Sequence, residues 1–129
     1  MIVSFSKTTA ALVARRKTVT RREWKDGHAA RFKPGDVVDA WSASPHRGGK
    51  RVGKIRILSV TKEPTRLIPD SDWEAEGFAY MAERGLNVEK DRSCEAFCRA
   101  WRQHPTLETY VIRFEVVEIL GESCEDDSR

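Results

Sequence analysis

The sequence predicts an α+β domain: a small curled or closed barrel of mostly antiparallel strands with peripheral helices. Three observations carry this. Residues Leu107 to Leu120 alternate, with Tyr110, Ile112, Phe114 and Val116 on one side and Thr109, Val111, Arg113 and Glu115 on the other; period-two patterning marks a strand. Val52 to Val60 alternates in the same way, with Lys54 and Arg56 against Ile55 and Ile57. Helical signals are inserted between these two strands instead of alternating with strands, which favours α+β over α/β. Closure of the sheet manages the edges of so few strands.

At 129 residues, 40% hydrophobic and 33% charged, the chain fits one soluble domain able to bury a core without metals or disulfides. Residues 1–120 form that domain in this reading, and the acidic, apolar-poor segment 121–129 is a disordered tail. No apolar run approaches membrane-spanning length, and Met1 to Lys7 lacks the apolar core of a signal peptide. Three cysteines, an odd number, argue against a secreted disulfide framework. A cytoplasmic protein with no membrane partner is expected. Net charge is +3, yet residues 1–56 hold 14 Lys and Arg against 4 Asp and Glu. A basic first half points to a phosphate-bearing partner.

In chain order, Ile2, Val3 and Phe5 form a short first strand, and Ser6 caps a short helix through Ala14. A basic stretch follows, from Ala14 to Arg22. Its inner residues Thr18, Val19 and Thr20 are β-branched, so the stretch is a charged strand or turn. Its cations fit a phosphate patch or a solvated edge strand whose charges block pairing. Trp24 to His28 and Phe32 to Asp36 read as turns. Val37 to Ser42 is a strand, Ser44 to Lys50 a glycine-containing hairpin loop, and Val52 to Val60 the return strand. Gly53 marks a bulge or a close backbone approach. Ser71 and Glu74 have capping-box spacing for a helix that Gly85 closes. Ser93 starts another, with Cys94, Phe97, Cys98 and Trp101 as a core stripe that Pro105 ends.

In this order the residues resemble a known family. Lys17 with Arg22 five positions on, then Phe32-Lys33-Pro34-Gly35-Asp36-Val37, Asp72-Trp73-Glu74-Ala75-Glu76-Gly77-Phe78 and Tyr110-Val111-Ile112-Arg113-Phe114, resemble the ASCH domain of the PUA-like superfamily. The family pattern has Gly, one residue, then Lys; here Arg15 holds the Gly position, and Thr20 an often-acidic one. The resemblance implies a PUA-like β-barrel whose cleft receives RNA or a modified nucleoside. The resemblance extends to the small bacterial N4-acetylcytidine amidohydrolases, whose Lys-Thr-x-Thr corresponds to Lys17-Thr18-Val19-Thr20. Their proposed trio then falls on Lys17, Thr20 and Glu76. Ribonuclease action on single-stranded RNA and non-catalytic RNA binding are the alternatives that the resemblance leaves open.

Amide hydrolysis needs a nucleophile, a base and donors for the oxyanion. Thr20 would be the nucleophile and Lys17 the base, once burial and neighbouring arginines lower its pKa. Glu76 would orient the lysine or shuttle a proton. Lys17 and Thr20 lie three apart, so they share a face only where the backbone bends between them. Arg15, Arg16, Arg21 and Arg22 are the expected substrate or nucleic-acid contacts, joined by Arg47, Lys50 and Lys54 around the hairpin loop. Trp41, like Trp24, either stacks on a base or packs in the core. Cys94, Cys98 and His104 are read as core and surface residues instead of zinc ligands. No metal or cofactor is expected.

Overall fold

The computed structural model describes residues 1–88 and 92–120; the predicted tail lies outside them. Five strands, β1 (Ile2–Ser4), β2 (Val19–Arg22), β3 (Val37–Trp41), β4 (Arg51–Pro64) and β5 (Glu108–Ile119), form one sheet in the order β1-β3-β4-β5-β2. The β1–β3 pair is parallel and the others are antiparallel. Among the described residues five α-helices accompany them: α1 (Thr9–Val13), α2 (Asp26–Ala29), α3 (Asp72–Ala75), α4 (Phe78–Glu83) and α5 (Cys94–Gln103). The α+β class is as expected.

The barrel is not closed. Strands β1 and β2 are the two edges, and no ladder joins them among the described residues. The sheet is nevertheless curled until one side chain spans the gap: Arg22 Nη2 on β2 donates to the Ser4 carbonyl on β1 at 2.5 Å. The first strand has only three residues and pairs with β3 alone among the described residues.

The long pair β4–β5 is the spine. Its buried side carries Ile55, Ile57, Ile112 and Phe114, which join Val3, Phe5, Leu12, Phe32, Val38 and Ala40 in one core. The return strand runs four residues beyond its predicted end, to Pro64, because Thr61 to Glu63 find partners in Val111 to Thr109. Gly53 is a close approach: a Cβ there would lie 2.1 Å from the Glu118 carbonyl oxygen. Register also slips at two places along the pair, so Leu58 and Val117 face solvent without breaking the inward alternation.

A second core holds Ala11, Phe78, Met81, Cys94 and Cys98, flanked by Trp73, Phe97 and Trp101. Helix α1 sits between the two cores, with Leu12 in one and its neighbour Ala11 in the other. Helix α5 follows its sequence signals closely. Ser93 Oγ accepts from the Ala96 N–H at 3.2 Å, and the stripe packs inward. Thr65 at the end of β4 fixes that helix by donating to the Trp101 carbonyl at 2.7 Å.

Three local expectations fail. Neither Ser6 nor Ser71 caps a helix through its side chain; Ser6 sits at φ 47 in a tight turn, and Ser71 is itself helical. At the segment read as a turn, residues Asp26–Ala29 form a helical turn of four residues. The single helix predicted between Ser71 and Gly85 is two, broken at Gly77, whose φ is +89. A left-handed residue cannot continue a right-handed helix.

Candidate functional site

Helix α1 ends in a corner that decides where the basic stretch points. The Arg15 N–H donates to Leu12, and the Arg16 and Lys17 N–H groups both donate to the Ala11 carbonyl. Such bonds cap a helix through a left-handed residue, and Arg15 supplies it at φ +62. Arginine thus occupies a conformation that glycine favours, at the position where the resemblance expects Gly. Lys17 lies in this corner and Thr20 in β2, which begins only at Val19. The bend required for the two to share a face is present: both line one cavity of about 220 Å³.

Glu76 meets them from the other side, at the break between α3 and α4. Lys17 Nζ donates to the Glu76 carbonyl oxygen at 2.8 Å and to its Oε1 at 3.1 Å. Both side chains are buried, at 1% and 3% exposure. Gly77 makes this possible in two ways. Its positive φ turns the chain there, and the missing side chain leaves room for Ala11, whose Cβ would otherwise be 2.5 Å away.

The remaining charges form a buried relay. Arg21 Nη1 donates to Glu76 Oε2 at 2.7 Å, and its Nη2 donates to Asp72 Oδ2 at 2.5 Å. Arg113 on β5 holds Asp72 through two further bonds of 3.1 and 3.0 Å. Arg22 Nε donates to Thr20 Oγ1 at 3.1 Å. Burial pushes the Lys17 amine below its ordinary value; Glu76 opposes this, and Arg22 and Arg21 assist it. Asp72 is held below its ordinary value because its bonds to Arg113 and Arg21 outweigh the effect of burial. Burial also lowers the pKa of Arg22.

The structure therefore brings together Lys17, Thr20, Arg21, Arg22 and Glu76, with Phe5, Phe78, Phe97 and Trp101 as apolar walls. Arg16 instead forks onto Glu74 with two bonds of 2.8 Å and reaches Glu83 at 3.0 Å, outside the cavity. Arg15 is exposed on the corner. Trp41, Arg47, Lys50 and Lys54 belong to β3, the hairpin loop and β4, and none lines this cavity. Trp24 stacks on Phe32 at 4.5 Å. Cys94 and Cys98 are buried thiols whose pKa is raised by burial. No group of three or more potential metal ligands occurs among the described residues, nor does any helix long and apolar enough to cross a membrane.

Sequence reasoning missed Asp72, Gly77 and Arg113. Asp72 was absorbed into a cap and Arg113 into strand alternation. A glycine inside a helical pattern is itself a signal, and Gly77 carried it.

This architecture is an ASCH-like fold. Among solved structures the chain is similar to a DUF984 protein from Enterococcus faecalis V583, at 19% identity and a TM-score of 0.58, covering 91% of this chain and 74% of that one. It is also similar to a point variant of an ASCH protein from Zymomonas mobilis, at 11% identity and a TM-score of 0.50, covering 99% and 79%. At such identities the likeness is one of fold. No protein-family model matches the sequence, and no curated protein does.

Proposed function

We propose that this ASCH-like domain binds RNA or a modified nucleoside in the Lys17 cavity and hydrolyses the N4-acyl amide of an acylated cytidine there. The observation that carries the reading is the buried Lys17 amine, with lowered pKa, beside Glu76 and in one cavity with Thr20. Burying an amine is costly, and a perturbed group in a cavity is a recurrent mark of a functional site.

Thr20 Oγ attacks the acyl carbon while its proton passes to neutral Lys17. Arg22, already bonded to Thr20 Oγ1, stabilises the negative charge that develops on the acyl oxygen. The tetrahedral intermediate collapses as Lys17 returns the proton to the departing N4, releasing cytidine and leaving an ester on Thr20. Water, deprotonated by Lys17, hydrolyses the ester to the free carboxylic acid. Glu76, locked by Arg21 on its far oxygen, holds the lysine in place throughout. The aromatic walls suit a stacked base.

Incubation with N4-acetylcytidine followed by chromatography tests the reaction. Cytidine and acetate are the expected products, and both should vanish in Lys17→Ala and in Thr20→Ala. Product formation that survives both substitutions overturns the trio. Titration with RNA at rising salt tests the wider binding reading, for which affinity should fall steeply.

A further inference from the structure

The proposed reaction uses Lys17, Thr20, Arg22 and Glu76, and leaves the buried carboxylate of Asp72 without a task. Asp72 opens α3 and Glu76 follows its last residue, and the Glu76 N–H donates to the Asp72 carbonyl at 2.8 Å. One helical turn therefore presents both carboxylates on the same face, where like charges repel. Two arginines meet them from the sheet. Val19 on β2 lies directly opposite Arg113 on β5. Arg21, two residues on from Val19, shares its face, so Arg21 and Arg113 are diagonal neighbours across the ladder.

Arg21 bridges the two carboxylates. Its Nη1 donates to Glu76 Oε2 at 2.7 Å and its Nη2 to Asp72 Oδ2 at 2.5 Å. Arg113 holds the other side of Asp72, with Nη1 on Oδ1 at 3.1 Å and Nη2 on Oδ2 at 3.0 Å. Two parallel bonds fix the plane of the carboxylate as one could not. Asp72 is then a fixed anchor for Arg21, Arg21 for Glu76, and Glu76 for Lys17 Nζ at 3.1 Å. Resting on the amidohydrolase reading of the cavity, we propose that Arg113 is a positioning residue. Through Asp72 and Arg21 it fixes Glu76, and with it the lysine that moves the proton.

Arg113 does not line the Lys17 cavity and belongs to neither core. Its side chain is 38% exposed, whereas those of Arg21 and Asp72 are at 2%. The outer end of the relay thus meets solvent while its inner members are buried. The charges around Lys17 set the sign of its effect. Glu76 favours the protonated lysine, and Arg21 and Arg22 on β2 oppose it. Lys7, on the turn before α1, lines the same cavity. Cys98 on α5 also faces Glu76 and Arg21, as a thiol that burial keeps uncharged. Without Arg113, Arg21 is drawn toward Asp72 and offsets less of the Glu76 charge. Lys17 then keeps its proton to higher pH.

The test compares Arg113→Met and Arg113→Lys with the wild type, each as the full chain. With N4-acetylcytidine, Arg113→Met should lower kcat about tenfold or more, the loss expected of a misplaced proton acceptor, while KM stays unchanged. The rising limb of its pH–activity profile should move to higher pH. Arg113→Lys restores the charge but not the two parallel bonds, so the limb should return while kcat recovers only in part. Unchanged kcat and limb in Arg113→Met, or a loss confined to KM, overturns the proposal and leaves Arg113 a stabilising contact. Titration of isotope-labelled lysine by NMR, with Lys17 assigned from Lys17→Met, reads the relay without any substrate. The Lys17 titration should move to higher pH in Arg113→Met; if it stays in place, the proposal falls whatever the activity. If it moves in a protein that never releases cytidine, the relay stands and the amidohydrolase reading falls.

Discussion

Lys17 and Glu76 meet twice, because the lysine amine reaches both the backbone carbonyl and the side-chain carboxylate of the same residue, at 2.8 and 3.1 Å. The carboxylate also serves Arg21 at 2.7 Å. Glu76 thus serves two buried cations, one of which, Arg21, also reaches Asp72, and this makes the pair asymmetric.

Removing the anion should cost more than removing the lysine. Glu76→Gln keeps the shape but leaves Lys17 and Arg21 without their shared charge, a loss of about 3–5 kcal/mol for a broken buried pair. Lys17→Met leaves Glu76 paired with Arg21 and relieves one desolvated charge. Its cost should be at most about 2 kcal/mol, set by the acceptors it leaves behind. Urea denaturation of the two variants checks the order, and the reverse order would mean that the lysine, not the carboxylate, organises the cluster.

The same burial predicts a pH dependence. The native Lys17 pKa lies below 10.5. Between the native value and 10.5 the unfolded chain holds a proton that the native one lacks, so this group makes stability rise with pH. The penalty is complete below the native pKa and fades as pH climbs to the unfolded value. Stability of the wild type minus that of Lys17→Met should therefore increase across this window. The raised thiol pKa values of Cys94 and Cys98 act oppositely but cancel in the difference. Amidohydrolase activity should rise with pH through the same native value. Arg22→Met, which removes a cation that lowers the lysine pKa, should shift that limb to higher pH.

Asp72 governs the acid side. Held below 3.8 by Arg113 and Arg21, it contributes stability above that value and loses it as pH falls through its native pKa. Asp72→Asn should be destabilised by about 3 kcal/mol at neutral pH, where it removes the carboxylate that Arg21 and Arg113 share and leaves Arg21 on Glu76 alone. The difference from wild type should shrink in acid, as followed by circular dichroism during denaturant titration at several pH values.

How much of this was legible in the sequence depended on distance along the chain. Lys17, Thr20 and Arg22 fall within six residues, so their spacing could be read directly, as could the bend that their convergence demands. The strand patterns of β4 and β5 and the cap of α5 were local for the same reason. Arg21 and Asp72 are 51 residues apart, and nothing in either neighbourhood names the other. Arg21 read as a substrate or nucleic-acid contact because composition cannot distinguish an arginine facing a ligand from one facing two carboxylates. Sheet closure was misread because pairing between the two edge strands is a long-range property that no local pattern encodes.

The corner at Arg15 predicts a gain from a substitution that usually destabilises. A non-glycine residue in the left-handed region costs about 1 kcal/mol or more, and Arg15 sits there at φ +62. Arg15→Gly should raise stability by about 1 kcal/mol, since glycine suits this capping position. The cavity should be unaffected. A thermal melt at fixed pH checks it, and a loss of stability would show that contacts of the arginine side chain outweigh its backbone strain.

Gly77 makes the opposite case, and its failure should reach the chemistry. Alanine there would hold φ +89 against its preference and place Cβ 2.5 Å from Ala11 Cβ and 3.4 Å from Lys17 Cβ. Backbone strain of about 1 kcal/mol adds to overpacking of about 1–3 kcal/mol, so Gly77→Ala should lose about 2–4 kcal/mol. Ala11→Gly in the same chain removes the nearest clash but leaves the strain, and should recover only the packing share. The relief arrives when α1 and α4 need not separate. The strained turn still displaces the Glu76 carbonyl from Lys17 Nζ, so activity toward N4-acetylcytidine should remain low in the double variant even as stability returns. Recovery of both together would mean that helix spacing alone, and not the turn at Gly77, positions the lysine.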